Sequence, residues 1–322
     1  MEVNKQRGKI GAVALGFVLA GMLGAWIPSQ VFIITMLGGG LLSVLMFRAP
    51  KWLTICAVLA NWLCTFGVAG GSFSIRAQVM IQVCLCMTCI GLMLGWNMLR
   101  RRTFQELMSS TILATTLANL VLTLLGAYIN QGSISIDSIL APYQEMYYSL
   151  EQTFVAAGND PYEVSNMIAQ MMDVMRNMLV GYLVLSSMIL VFFSFVCTRW
   201  WMRVLYKVRF PQYQFLQSFK VSLVGGIVFI LMFLGLITST DQLPVAVCSN
   251  FVIIFAPVFL LGGLSLIEWY LNRAGIRLGQ KILLYLCIFG TLFLPYINLV
   301  NAAIALGVMD SIFNYRKIKD AA

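Results

Sequence analysis

The sequence predicts an all-α, polytopic transmembrane bundle of about 8–10 membrane segments, with a helical hairpin on its extracytoplasmic side. Three observations carry that prediction. Of 322 residues, 60% are apolar and 10% charged, with a mean hydropathy of +0.88. A soluble domain carries roughly 25% charged residues, so most of this chain must be solvated by lipid. The apolar residues come in runs near the ~20 residues that cross a hydrocarbon core. Finally, the Lys and Arg that give the net charge of +9 fall in short clusters between runs, as the positive-inside rule requires of cytoplasmic loops.

The elements follow in order. Lys5, Arg7 and Lys9 precede an apolar run from Ile10 to Ile27. A charged start and a short apolar core also describe a signal peptide. A second run, Val31 to Phe47, follows after only Pro28, Ser29 and Gln30, which favours an uncleaved first hairpin. Arg48 and Lys51 mark the cytoplasmic side again. The third run, Trp52 to Val68, joins the fourth, Ala77 to Leu99, through the glycine-rich link Ala69 to Ser72. Arg100, Arg101 and Arg102 anchor the fourth inside, and the fifth runs from about Leu107 to Tyr128.

Residues 129–176 hold six of the twelve acids and a single base, Arg176. The scarcity of Lys and Arg agrees with an outer location. Ile139, Leu140, Tyr143, Tyr147, Leu150 and Phe154 recur at helical spacing. Gly158 is suited to close that helix in the left-handed conformation. Asp160-Pro161-Tyr162-Glu163 then has the cap, proline and acid of a second helix start. Residues 130–176 thus read as an outer hairpin whose second helix runs on into span six, Met178 to Val196.

Residues 199–220 mix Arg199, Arg203, Lys207, Arg209 and Lys220 with tryptophan, tyrosine and phenylalanine, which suits a cytoplasmic segment at the headgroup boundary. Span seven covers Val221 to Ile237. Span eight, Val245 to Leu271, contains Pro257. The last stretch, Ile282 to Ile312, would reach about 46 Å as one helix, against a hydrocarbon core of ~30 Å. Two short arms meeting near Leu294-Pro295 would leave Lys281 and Arg316 at the same end. The chain therefore divides into a six-span part (1–198), the basic-aromatic segment (199–220) and a C-terminal group with a basic tail (221–322).

Several chemistries are excluded. There is no His, so the usual metal ligand, proton shuttle and Ser-His or Cys-His pair are missing. No phosphate-binding glycine loop precedes a helix, and the basic residues form no face on a folded domain that would bind nucleic acid. Neither an enzyme, a cofactor nor a metal is expected. The eight cysteines lie mostly within runs and form no disulfide framework.

What remains is polar side chains in lipid. Asn61, Gln82, Asn119 and Asn250 sit inside apolar runs, where each must face the bundle interior or a cavity. Interhelical hydrogen bonds account for any one of them. Gln82 and Asn119, both in the middle or outer part of their spans, also admit a ligand pocket under the hairpin. Ala12, Gly16, Ala20 and Gly24 stack every fourth residue on span one, a ridge that packs another helix of the chain or docks a partner subunit. Glu268 and Asp310 read as solvated or locally paired acids.

The stretch Gly262-Gly263-Leu264-Ser265-Leu266-Ile267-Glu268-Trp269-Tyr270, followed by Gly307-Val308-Met309-Asp310-Ser311-Ile312-Phe313-Asn314-Tyr315-Arg316, resembles the YybS-like bacterial membrane proteins. Their tails carry a similar Gly-x-x-Asp-Ser-x-Phe-x-x-Arg pattern, so Glu268, Asp310, Phe313 and Arg316 are the motif residues. The chain departs from the pattern at Phe210-Pro211-Gln212-Tyr213, where the family has more proline. The resemblance implies a bacterial plasma-membrane protein, and the basic start, Lys5, Arg7 and Lys9, puts its N-terminus in the cytoplasm. Its six-span part is similar in layout to the S components of energy-coupling-factor vitamin transporters. That likeness implies small-solute capture and a transmembrane coupling subunit served by ATPases. The other reading open at this point is a scaffold or regulator acting through the outer hairpin and the basic-aromatic loop.

Overall fold

The computed structural model describes residues 2–208, 219–291 and 298–316. Among these it contains twelve α-helices and no strand. Seven, α1 (Glu2–Trp26), α2 (Val31–Arg48), α3 (Lys51–Val68), α4 (Phe73–Leu99), α5 (Phe104–Gln131), α8 (Leu179–Tyr206) and α10 (Gln242–Arg273), are long and apolar enough to cross a membrane. The polytopic bundle is therefore observed. The shorter helices are α6 (Ile136–Ala156), α7 (Pro161–Asn177), α9 (Leu223–Thr238), α11 (Leu278–Gly290) and α12 (Leu299–Phe313). The chain forms two compact units: residues 1–176 with 183–211, and residues 177–182 with 212–322.

In the first unit α2 is the central element, because its glycines let neighbours approach closely. A Cβ on Gly38 would strike Met87 of α4, and one on Gly40 would come within 2.9 Å of Cys197 on α8. In return, Gly91 and Gly95 of α4 accept Leu42 and Met46. Small residues at such crossings supply the packing that lipid does not drive hydrophobically. The threading shows in the charges. Lys9 at the start of α1 donates to the Leu205 carbonyl (2.5 Å), and the Arg48 guanidinium at the end of α2 lies 5.2 Å over the Tyr206 ring. The basic ends of α1, α2 and α8 thus meet at one end of the unit.

The helical hairpin forms as its punctuation dictates. Gly158 adopts φ +92° after α6, and Asp160 accepts the Tyr162 amide at 2.9 Å to open α7. Arg176 closes the loop by pairing with Asp137 at 2.6 Å. Two boundaries differ from the sequence reading. Residues 199–206 are the last turns of α8, because nothing between Val196 and Tyr206 breaks a helix. The rest of that segment, including Phe210 to Tyr213, lies outside the described residues. Helix α7 also does not run into α8 without interruption, for a reason given below.

In the second unit α10 packs on α12 through glycine. Gly263 faces the Ala303 carbonyl, and Gly307 faces the Phe259 carbonyl, with no room for a Cβ at either. Phe229 of α9, Phe259 and Val308 form the adjoining core. The last apolar stretch is two arms: α11 and α12, of 13 and 15 residues, reach about 20 and 22 Å, short of a ~30 Å core. Their far ends return together. Lys281 pairs with Glu268, and Arg316 bonds Ser265 one turn away on the same helix. The turn near Leu294-Pro295, and Lys317 and Lys319, lie outside the described residues.

Candidate functional site

Two clusters, or seams, of buried polar side chains in the first unit meet on α4, one through Cys84 and one through Cys86. Asn61, wholly buried on α3, donates to the Phe17 carbonyl of α1 at 2.7 Å and accepts from the Cys84 thiol at 3.0 Å. Thr65, one turn along, holds the Asn61 carbonyl and also receives Cys84. This seam ties three helices together and leaves no open polar atom on Asn61 in the direction of a ligand.

The second seam is different. Asn119 of α5 accepts from the Cys86 thiol at 2.8 Å and donates to Ser187 of α8 at 2.7 Å, and the Ser187 hydroxyl in turn donates to the Leu183 carbonyl. Gln82 stands four residues before Cys86, hence on the same face of α4 one turn nearer the hairpin end. It is exposed. Asn119 is engaged inside the seam, whereas Gln82 makes no hydrogen bond to it among the described residues; only its helical spacing from Cys86 relates the two. The exposed Gln82 amide is able to both donate and accept.

Asn250 belongs to the second unit and has a role that its place in an apolar run does not reveal. Its Oδ1 accepts the Gly181 amide at 2.6 Å, and its Nδ2 donates to the Asn177 carbonyl. In a continuous helix Gly181 would bond Asn177 directly, four residues back. The Asn250 amide is inserted into that rung, which is the recognised cause of a helix break, and α7 and α8 are separate helices for this reason. Asn250→Leu is expected to cost about 1–3 kcal/mol by orphaning both backbone groups. The check is a lower unfolding midpoint together with faster hydrogen exchange at Gly181; unchanged exchange there would show the amide to be dispensable.

The tail motif is a pair of charge networks on α10. Glu268 accepts from Lys281 at 2.8 Å, Tyr285 at 2.6 Å and Asn272 at 3.1 Å. Asp310 and Arg316 form an ion pair that is almost wholly buried, with NH2 to Oδ2 at 2.6 Å. Arg316 also donates to Ser265 at 2.6 Å and to the Phe219 carbonyl at 2.7 Å. Phe313 is 63% exposed and outside both networks. Sequence spacing exposed the Asp310–Arg316 pair, six residues apart, but not Lys281, Tyr285 and Ser265, whose partners are distant in the chain.

The small-residue ridge on α1 is turned inward. Gly16 meets Leu41, Gly24 meets Val83 and Ile34, Ala20 is buried, and only Ala12 is exposed. The outward stripe is Ala12, Leu15, Leu19 and Leu23.

No curated protein and no solved structure matches this chain. The helical bundle with its apolar spans, and a family-model match that covers residues 14–311, make the chain a member of DUF2232, a family of predicted membrane proteins.

Proposed function

We propose that the first unit is a membrane-embedded binding component for a small solute, with the layout of an energy-coupling-factor S component. Gln82 stands at the entrance to its site. The supporting observation is the exposed Gln82 amide one helical turn from Cys86 and its hydrogen bonds through Asn119 to Ser187, at the end of the bundle where the hairpin begins. On this reading the protein binds its ligand without converting it, sits in the bacterial plasma membrane, and keeps its basic ends and N-terminus in the cytoplasm. The coupling subunit would meet the outward stripe of α1, since the small ridge is covered from Gly16 on. The test uses protein in nanodiscs, screened by native mass spectrometry and thermal shift against vitamins and nucleobases. One class is expected to be retained, and Gln82→Ala should weaken it roughly fivefold to tenfold, as loss of one hydrogen bond does. An empty screen would remove the reading.

A second reading is favoured by the hairpin itself. Tyr143, Met146, Leu150 and Phe154 on α6, with Met167, Met171 and Val174 on α7, present exposed apolar stripes. Their charged neighbours are acidic apart from Arg176, whereas helices that lie on anionic membranes carry Lys and Arg. A protein partner suits that chemistry. On this reading, deleting residues 133–176 abolishes partner recovery in a pull-down and leaves solute uptake unchanged; an uptake defect would favour the first.

A further inference from the structure

The strongest unassigned feature is a groove of about 300 Å³ on the lipid-facing side of α2, α3 and α4, at the basic end of the first unit. Met46, Ile55, Val58, Leu59, Leu92 and Trp96 line it, with the exposed Lys51 at its rim and the buried Thr54 on its inner wall. Three independent facts converge there. Thr54 is 3% exposed, yet its hydroxyl has no hydrogen-bond partner among the described residues, and an unpaired buried hydroxyl is costly. Helix α3 begins at Lys51 after Pro50, which offers no side-chain cap, so the first-turn amides of Lys51 and Trp52 precede any intrahelical acceptor. Lys51 also adds a full positive charge to the positive end of the helix dipole, where a cation is unfavourable and an anion is doubly welcome.

The geometry points to a binding site for one anionic glycerophospholipid. Its phosphate meets Lys51 and the first turn of α3, an ester or glycerol oxygen accepts from Thr54, and an acyl chain lies in the groove. The depths agree with that order. Thr54 is three residues, about 4.5 Å, further along α3 than Lys51, as the ester region lies below the phosphate. Trp52 and Trp96 are 65% and 40% exposed, as ring side chains are at the headgroup level. The Arg100 guanidinium sits 4.5 Å over the Trp96 ring, keeping a second cation at the same rim. Basic pockets between spanning helices are where anionic headgroups bind. This site is separate from Gln82 and stands whether or not a solute binds there.

The test is lipid retention by native mass spectrometry after exchange into phosphatidylcholine nanodiscs doped with phosphatidylglycerol. One phosphatidylglycerol is expected to remain on the wild-type chain. Lys51→Gln should weaken retention about fivefold, the equivalent of one basic residue at a membrane surface. Thr54→Val should weaken it while keeping the side-chain shape, and Leu59→Trp, at an exposed position, should abolish it by filling the groove. Arg101→Gln is the control and should change nothing. Thermal unfolding in pure phosphatidylcholine checks that each variant folds; if the tryptophan variant does not, the other two still decide. Equal retention of both lipids, or unchanged retention in Lys51→Gln and Thr54→Val, would overturn the assignment. Displacement of the lipid by inorganic phosphate would instead reveal a free-anion site and overturn the acyl-chain half of it.

Discussion

Arg316→Met is expected to lower the unfolding free energy of the second unit by about 3–5 kcal/mol, the cost of breaking a buried ion pair by removing one partner. The guanidinium is fully enclosed and the Asp310 side chain is 2% exposed. Asp310 Oδ2 takes both the Nε (3.1 Å) and NH2 (2.6 Å) bonds, while Oδ1 has no partner among the described residues. Without arginine the carboxylate would be buried with no counter-charge. Ser265 and the Phe219 carbonyl would lose a donor in the same step. Arg316→Lys should fall between, since an ammonium supplies one point charge where the fork makes several directed bonds. The double variant Asp310→Leu/Arg316→Met should recover most of the loss, because two apolar side chains replace two desolvated ions. Unfolding by sodium dodecyl sulfate titration followed by circular dichroism gives the comparison. A loss below about 1 kcal/mol in the single variant would mean the pair behaves as a solvated one.

Why some of this was legible in the sequence and some was not follows from distance along the chain. Apolar runs and basic clusters located the spans, since both are local. The same is true of Gly158 and Asp160, which punctuate the hairpin by short-range chemistry that survives any tertiary context. Asp310 and Arg316 lie within two turns and could be paired on paper. Glu268 could not be matched with Lys281 and Tyr285, because that requires knowing that α11 returns along α10. Asn61, Asn119 and Asn250 read alike in sequence, as single amides in apolar runs. They differ in what they touch: a carbonyl of α1, a thiol and a hydroxyl, and a broken helix rung. The ridge from Ala12 to Gly24 was visible as a ridge, but spacing does not say which helix fills it.

Gly307→Val is expected to prevent the second unit from forming its native core, and Gly307→Ala to destabilise it by about 1–3 kcal/mol, the usual cost of overpacking. A Cβ at Gly307 would fall on the Phe259 carbonyl, and one at Gly263 on the Ala303 carbonyl, each a backbone atom that has no rotamer by which to withdraw. The Gly263 amide would lie 2.8 Å from the same Gly307 Cβ, so the two backbones touch on both sides of the crossing. Relief requires α12 to move off α10 as a body. Gly279→Ala, with nothing within 4 Å of its Cβ, is the matched control and should be tolerated. The displacement has a second consequence that separates this account from a purely local clash. Helix α12 carries Asp310, and Arg316 follows it by way of the left-handed Asn314, so a shifted α12 also draws Arg316 away from Ser265. Gly307→Ala and Arg316→Met should therefore be less than additive, as residues that share one structural unit are. Full additivity in the double-mutant cycle would mean that the glycine crossing and the buried ion pair hold α12 independently.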